Sequence, residues 1–259
     1  MKSLSLSILF AFLAIFSFSQ ENSNTLRPGS GNFSFEVNLM PFGQDQVIDI
    51  TGFRGRIFVE ENLALRLGAN LDLISKNYET PVMTYDNLLL YEQAEEKATT
   101  LGVNFGIEYH FLDSRRISPY AGFEVNVVNK SSSATYDQYS QIFDPFGNNS
   151  YELIKLEYEN MWEPGIVGYY YDPYNNSLPI LSEQQRAFLM LGANLVMGTD
   201  IYIAKHFYMG FEFGFGYDFF KYKEAEFIVD GIVEEKTPVA KTNEINFKAN
   251  NAIRMGVWF

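Results

Sequence analysis

The chain has 259 residues, a formal net charge of −13, 47% hydrophobic residues and 17% aromatic residues. So acidic a chain cannot neutralise phosphates, which excludes nucleic acid as a partner. The absence of cysteine excludes disulfides, cysteine-ligated metals and a lipid-modified N-terminal cysteine.

Residues 1–19 predict a cleaved signal peptide. Lys2 precedes an apolar run over 8–16, which ends at small residues that suit cleavage before Gln20. The alternative, an N-terminal anchor helix, needs a longer apolar run than this one. Residues 20–31 are polar and predict a short N-terminal tail, and the folded domain is expected over 32–259.

Apolar residues that recur at every second position predict eight strands in the rest of the chain. The sixth is expected to run on towards residue 203. Strands of about ten residues are what a small membrane-spanning barrel needs. The predicted strands are 33–39, 53–59, 63–73, 101–111, 121–127, 189–197, 207–219 and 245–259.

The predicted connections alternate in length along the chain. Short turns are expected near 60–62, 112–118 and 204–206. Beyond a first loop at 41–47, long outer loops are expected at about 75–97, 130–186 and 221–241. This alternation is typical of an up-and-down barrel. Within the long loops, a short helix is expected over 153–162 and a hairpin tip at Asp230-Gly231.

The two faces of the predicted strands differ in a way that favours a membrane. One face is apolar, whereas the other carries glycine, asparagine and a set of opposite charges. A soluble barrel of the lipocalin type has the reverse arrangement, with an apolar interior. The sequence therefore predicts an all-β fold: an eight-stranded antiparallel up-and-down transmembrane β-barrel with long extracellular loops and short periplasmic turns.

The terminal strand supports this interpretation. Its alternating apolar residues are Ile253, Met255, Val257 and Phe259. It resembles the last strand of bacterial outer-membrane β-barrel proteins, and the whole chain resembles the small barrels of OmpA/OmpX type. The Ser-Gln signal junction is similar to that of Bacteroidota members. The resemblance implies an outer-membrane location, contact with lipid and lipopolysaccharide, and recognition of these four residues by the barrel-assembly machinery.

Charged residues at inward positions predict a polar network inside the barrel. One hypothesis is a path for protons or ions. The other is a paired core that fills the barrel, since eight strands leave little room for a channel and unpaired buried charges are costly. The members are Arg54, Arg56, Arg66, Arg254, Glu36, Glu108, Glu124 and Glu212.

Catalytic and metal-binding signals are weak. His110 and His206 are the only histidines, and neither shows a His-x-Ser spacing that would pair it with a nucleophile. Both are expected at the periplasmic rim. The 144–149 stretch lacks the ligand order of a calcium loop. No catalytic residue, metal or cofactor is therefore predicted.

The 130–186 segment carries the aromatic residues of a candidate partner-docking loop, because tyrosine and tryptophan supply contact area at low entropic cost. The alternative is a self-packed lid over the barrel mouth. The residues are Trp162, Tyr169, Tyr170, Tyr171 and Tyr174.

Three functions remain open on the sequence. The first is a non-enzymatic structural or interaction protein, acting through its outer loops as a subunit of a larger complex for secretion, assembly or nutrient uptake. The second is a narrow porin-like channel for small solutes or ions. The third is a lipid-modifying barrel enzyme. Fold resemblance alone does not choose among them.

Overall fold

The computed structural model describes residues 26–41, 48–84, 87–111, 116–143, 149–161, 166–172, 176–181 and 186–259. The predicted signal peptide lies outside this part of the chain. The described residues form thirteen strands: β1 (Phe33–Pro41), β2 (Ile48–Glu60), β3 (Leu63–Met83), β4 (Leu89–His110), β5 (Ile117–Phe143), β6 (Asn149–Glu159), β7 (Ile166–Asp172), β8 (Asn176–Leu181), β9 (Phe188–Ala204), β10 (Phe207–Tyr222), β11 (Ala225–Val229), β12 (Ile232–Thr237) and β13 (Ala240–Trp258). Over the same ranges no helix is long and apolar enough to cross a lipid bilayer.

Eight of the described strands close into an antiparallel ring. Its order is β1-β2-β3-β4-β5-β9-β10-β13, and β13 pairs back with β1. The pairing of β5 with β9 bridges the long intervening segment and runs from Ile117 opposite Ile201 to Lys130 opposite Phe188. These are the eight strands that the alternation predicted, which confirms the all-β antiparallel class.

The ring is apolar outside and polar inside. Outward side chains such as Leu67, Phe105 and Leu195 are 58%, 54% and 60% exposed. Inward positions on the same strands carry glycine, asparagine and buried charges, including Arg66, which is 1% exposed. The period of two along each strand places these two sets on opposite faces.

Most of the predicted outer loops are strand rather than loop, which corrects the prediction. β3 and β4 stay paired without interruption from Leu63 opposite Tyr109 to Met83 opposite Leu89, so residues 75–83 and 89–97 form the two strands of a hairpin arm. β5 likewise continues to Phe143. Beyond the ring the outward face of these strands is polar, as at Glu95 and Lys97, and the buried inward positions hold small or polar residues such as Glu96 and Ala98. The apolar alternation that marks a half-buried strand is therefore absent there.

The outer sheet comprises 74–83 of β3, 89–98 of β4 and 131–143 of β5 together with β6, β11 and β12. β6 pairs with both β5 and β11, so the helix expected over 153–162 is wrong. Pairing on two sides satisfies the backbone of β6 as a strand. The hairpin tip at Asp230-Gly231 is confirmed, with φ angles of 48° and 81°. β7 and β8 form a separate two-stranded sheet.

The opposite end of the ring is closed by a small hydrophobic cluster. Tyr202, Tyr208 and Trp258 are buried together, and Leu26 packs against them. The Trp258 indole donates a hydrogen bond to the Leu26 carbonyl at 3.1 Å. The Arg27 guanidinium donates to the Glu61 carbonyl at 2.6 Å. Part of the predicted N-terminal tail is therefore fixed across the end that carries the short turns.

Candidate functional site: the charge network inside the ring

The eight charged residues predicted for the interior converge within the ring. They come from seven strands, β1, β2, β3, β4, β5, β10 and β13, and each is at most 6% exposed. Local sequence explains their direction. Arg54 and Arg56 alternate with outward-facing Phe53 and Ile57, so the apolar residues set which side the guanidinium groups face. We call these eight residues the interior charge network.

Arg66 lies at the centre of several contacts in the network. Its guanidinium donates to both carboxylate oxygens of Glu212, at 2.8 and 2.9 Å. It also lies 2.7 Å from Glu124 and 3.3 Å from Glu108. One cation thus neutralises carboxylates from three different strands, which ties distant parts of the ring together.

Arg54 and Arg254 share carboxylates with Arg66. Arg54 lies 3.0 Å from Glu36 and 3.2 Å from Glu212. Arg254 lies 3.4 Å from Glu36 and 3.8 Å from Glu212. Because each carboxylate serves more than one guanidinium, the network is a connected lattice of pairs. Charge-assisted hydrogen bonds of this kind are about twice as strong as neutral ones.

Asp200 belongs to this lattice and was missed in the sequence. Its carboxylate lies 2.7 Å from Arg56 and 3.0 Å from Arg254, and its side chain is fully buried. The signal was present: Asp200 keeps the inward register of Asn194, Val196 and Gly198 along β9. With Asp200, four guanidinium groups face five carboxylates, so the cluster carries one net negative charge when all groups are ionised.

Buried tyrosines complete the network. The Tyr120 hydroxyl donates to Glu212 at 2.6 Å, and the Tyr208 hydroxyl donates to Glu36 at 3.0 Å. The Arg56 guanidinium lies 4.9 Å from the Tyr208 ring centre, a cation–π distance. A Cβ at Gly198 would lie 2.5 Å from the Tyr120 hydroxyl, so glycine is needed there to leave room for the Tyr120 side chain. Together these groups fill the interior at this level.

The structure brings His110 to a serine that the sequence did not pair with it. His110 Nδ1 lies 2.7 Å from Ser118 Oγ across the β4–β5 pairing, and His110 Nε2 lies 3.7 Å from Glu108. His110 and Ser118 have no exposed surface, so His110 lies inside the ring rather than at its rim. Both side chains are therefore out of contact with solvent in this conformation.

His206 lies in the β9–β10 turn and contacts the last strand. Its Nδ1 is 2.8 Å from the Trp258 carbonyl oxygen, and its φ of 67° suits a tight turn. Among the described residues, no three histidine, aspartate or glutamate side chains are arranged as metal ligands.

Of the four residues expected to be recognised by the barrel-assembly machinery, Ile253, Met255 and Val257 lie on β13 and Phe259 follows its end. β13 pairs with both β1 and β10 and so closes the ring. Val257 lies opposite Phe35 on one side and Phe207 on the other. The Phe259 backbone exchanges hydrogen bonds with Phe33 at 2.8 and 3.1 Å.

Replacing Phe259 by Ala is expected to lower the amount of folded protein in the membrane, because the terminal aromatic residue is removed from the closing strand. The measurement is the fraction of protein with heat-modifiable migration on gels. The matched control is Phe111→Ala, an outward aromatic residue at the same end of the ring. Equal folded fractions for the two variants and the parent chain would contradict a special role for the terminal residue.

The candidate docking residues lie in the segment between Met161 and Arg186. Trp162 and Tyr174 are outside the described residues. Tyr169, Tyr170 and Tyr171 lie on β7, where Tyr169 pairs with Pro179 and Tyr171 with Ser177. Met161 bridges Arg186, so the two ends of the intervening segment are adjacent.

The outer sheet carries its own cluster of aromatic side chains. The Tyr158 ring stacks on Phe227 at 4.9 Å and meets Tyr136 edge-on at 5.8 Å. Burial, together with the hydrogen bond that the hydroxyl donates to Glu96, raises the pKa of Tyr136. The cluster holds β5, β6 and β11 together on the side continuous with the ring interior.

The sequence matches no protein-family model, and it matches no curated protein. Among solved structures, the chain is similar to the crystal structure of the outer membrane protein OprG from Pseudomonas aeruginosa. The two share 12% sequence identity with a TM-score of 0.35, over 91% of this chain and 99% of that one.

Proposed function

We propose that this protein is a non-enzymatic β-barrel of the bacterial outer membrane that acts as an interaction protein through its outer sheet and the neighbouring segment, as a subunit of a larger envelope complex. The observation that carries the membrane part is the belt of exposed apolar side chains around a ring whose interior is charged. The outer sheet supports the interaction part.

The belt has the composition that lipid requires. Between the short turns and the outer sheet, the outward positions that the structure describes on the ring are Phe, Leu, Ile, Val, Met, Ala, Tyr, Gly, Pro, Thr or Asn. The exceptions are Lys221 and Lys241, which lie opposite each other at the outer ends of β10 and β13. A Lys or Arg at the middle of a bilayer costs about 2–4 kcal/mol. Each strand of the closed ring is also paired on both sides. A membrane-spanning structure needs this, because an unpaired strand edge cannot be tolerated in lipid.

The outer sheet offers a surface for a protein partner. It projects beyond the ring at the end opposite the short turns and exposes apolar side chains, among them Tyr78, Leu153 and Ile232, which are 43%, 50% and 65% exposed. β12 pairs only with β11 among the described strands, so one sheet edge is open. Exposed apolar groups and open edges are features of interaction surfaces.

A cysteine-labelling experiment tests the membrane location, since the chain has no cysteine of its own. Phe105→Cys and Tyr91→Cys lie on the same strand and replace side chains that are 54% and 50% exposed. In proteoliposomes, we expect a water-soluble maleimide to label Tyr91→Cys and to leave Phe105→Cys unlabelled, because lipid excludes both water and thiolate from the belt.

Both variants should be labelled fully after unfolding in denaturant, which serves as the control for reactivity. Equal labelling of the two folded variants in proteoliposomes would show that residue 105 faces water, and the membrane proposal would fail.

A second experiment tests the role as a complex subunit. A tagged copy purified from native membranes in mild detergent is expected to bring down one partner in fixed stoichiometry, as determined by native mass measurement. Because Met161 and Arg186 are adjacent, residues 162–185 can be replaced by a short Gly-Ser linker with the ring intact. We expect this deletion to release the partner.

The matched control shortens the tip of the β3–β4 arm, which is at the opposite edge of the outer sheet from the open edge of β12. Thr80 pairs with Glu92, so residues 81–91 can be replaced by a two-residue turn; this variant should keep the partner. A parent chain that purifies alone would contradict the subunit role without affecting the membrane proposal.

The channel hypothesis has less support than the interaction role. Nine charged groups and Tyr120 and Tyr208 occupy the interior at one level, which favours a filled core over an ion path. A stable single-channel conductance of the purified protein in a planar bilayer would favour the channel over the interaction role.

A further inference from the structure

Five asparagines line the inside of the eight-stranded ring. They lie beyond the interior charge network, on its side away from the short turns. They are Asn38, Asn70, Asn104, Asn126 and Asn194, which we call the asparagine collar. Each lies directly opposite a glycine on a neighbouring strand. Asn104 lies over Gly68 and Asn70 over Gly102, where a Cβ would overlap the amide. The glycines thus make room for amides that point along the wall.

The collar surrounds a cavity of about 350 Å³. Its lining also includes Arg54, Glu124 and Glu212, which form the boundary with the network. The volume lies at the lower end of the range of small-molecule sites, roughly 300–1,000 Å³. About twelve water molecules occupy this volume in liquid water. The cavity is therefore large enough for a solute of monosaccharide size.

The chemistry of the wall selects for uncharged hydrogen-bonding groups. Each carboxamide offers two N–H donors and one carbonyl acceptor. The Oδ1 atoms of Asn38 and Asn104 are buried without a hydrogen-bond partner in the chain, and buried acceptors of this kind are costly unless a ligand or water satisfies them. A solute with several hydroxyl groups both donates to such acceptors and accepts from the amide donors.

The charges at the boundary do not favour an ionic solute. Arg54 is engaged with Glu212 at 3.2 Å, and Glu124 is engaged with Arg66 at 2.7 Å. The network with Asp200 carries one net negative charge when all its groups are ionised, which repels anions. A zwitterion would need a free carboxylate and a free guanidinium, and these groups are already paired.

We propose that the asparagine collar binds a neutral polyhydroxylated solute of monosaccharide size. This goes beyond the interaction role proposed above and does not depend on a protein partner.

Saturation-transfer NMR on the purified, folded protein in detergent tests the proposal, with D-glucose, D-galactose and D-mannose as neutral probes and D-gluconate as the anionic counterpart. At least one neutral sugar is expected to bind in the millimolar range and gluconate to bind more weakly. The variant Asn104→Leu/Asn126→Leu should weaken sugar binding by at least about tenfold, the equivalent of one lost hydrogen bond to a buried group.

The matched control is Asn129→Leu. It makes the same exchange on the same strand as Asn126 but at an exposed, outward position, so sugar binding should not change. If the double variant fails to fold, Asn126→Ser removes one amide with a smaller polar side chain and should still weaken binding. The proposal is overturned by no binding of any neutral sugar, by equal binding of sugar and gluconate, or by unchanged binding in the collar variants.

Discussion

Replacing Arg66 by Met is expected to lower the free energy of unfolding by about 3–5 kcal/mol, because it removes one partner from a buried cluster of ion pairs. Arg66 bonds both oxygens of Glu212 and lies 2.7 Å from Glu124. Met fills much of the same space, so the loss comes from carboxylates left without a cation. Urea-dependent unfolding of the protein in lipid vesicles measures it.

The exposed pair of Lys97 and Glu95 provides the control. Its atoms lie 2.6 Å apart, yet the side chains are 57% and 47% exposed. Solvent screens such a pair, so Lys97→Met should change the unfolding free energy by no more than about 1 kcal/mol. The contrast separates the effect of burial from that of the ion pair itself.

A double-mutant cycle with Glu212→Gln shows whether the pair acts as a unit. Each single variant strands an opposite charge, whereas the double variant removes both charges and leaves Arg54 paired with Glu36 at 3.0 Å. The combined loss should therefore be smaller than the sum of the two single losses. Additive losses would show that Arg66 and Glu212 do not depend on each other, against the close pairing in the structure.

The ring strands were predictable because their two faces have different surroundings. Leu63 to Leu73 on β3 alternate with Arg66, Gly68 and Asn70, and the same contrast marks each ring strand. The same contrast between the two faces placed the eight network residues on the inward face. The alternation carries this information because each strand has one apolar face and one polar face.

The outer sheet was not predictable by the same reasoning. On the arm of β3, Glu79 and Thr80 point to opposite faces, and both are exposed. On this arm the sequence therefore shows no contrast between the two faces, and on β4 the buried inward positions include the charged residue Glu96. The strand pairing there depends on the hairpin register that begins inside the ring, as the unbroken β3–β4 ladder shows.

Contacts between strands also required the register. Ser118 reaches His110 because Tyr120 lies opposite His110 in the β4–β5 pairing. Asn104 meets Gly68 because these two residues face each other between β3 and β4. Each strand alone shows which face a residue occupies, but not which residue lies across from it.

Replacing Leu67 by Arg is the most direct test of what surrounds the ring. Leu67 lies on the apolar belt and is 58% exposed. If the belt faces lipid, the guanidinium must enter hydrocarbon, and the free energy of unfolding from lipid vesicles should fall by about 2–4 kcal/mol. If the belt faced water, the same exchange would be close to neutral, as surface substitutions usually are.

Met83→Arg is the matched comparison for this experiment. Met83 lies at the far end of the same strand and is 63% exposed, but it lies on the outer sheet rather than the belt. Its replacement should therefore change the unfolding free energy by less than about 0.5 kcal/mol. Two positions of similar exposure on one strand, 58% and 63%, are then compared in different surroundings. A large loss at Leu67 and almost none at Met83 identifies that medium as lipid, whereas equal effects at both would mean that the ring stands in water and that its apolar belt needs another explanation.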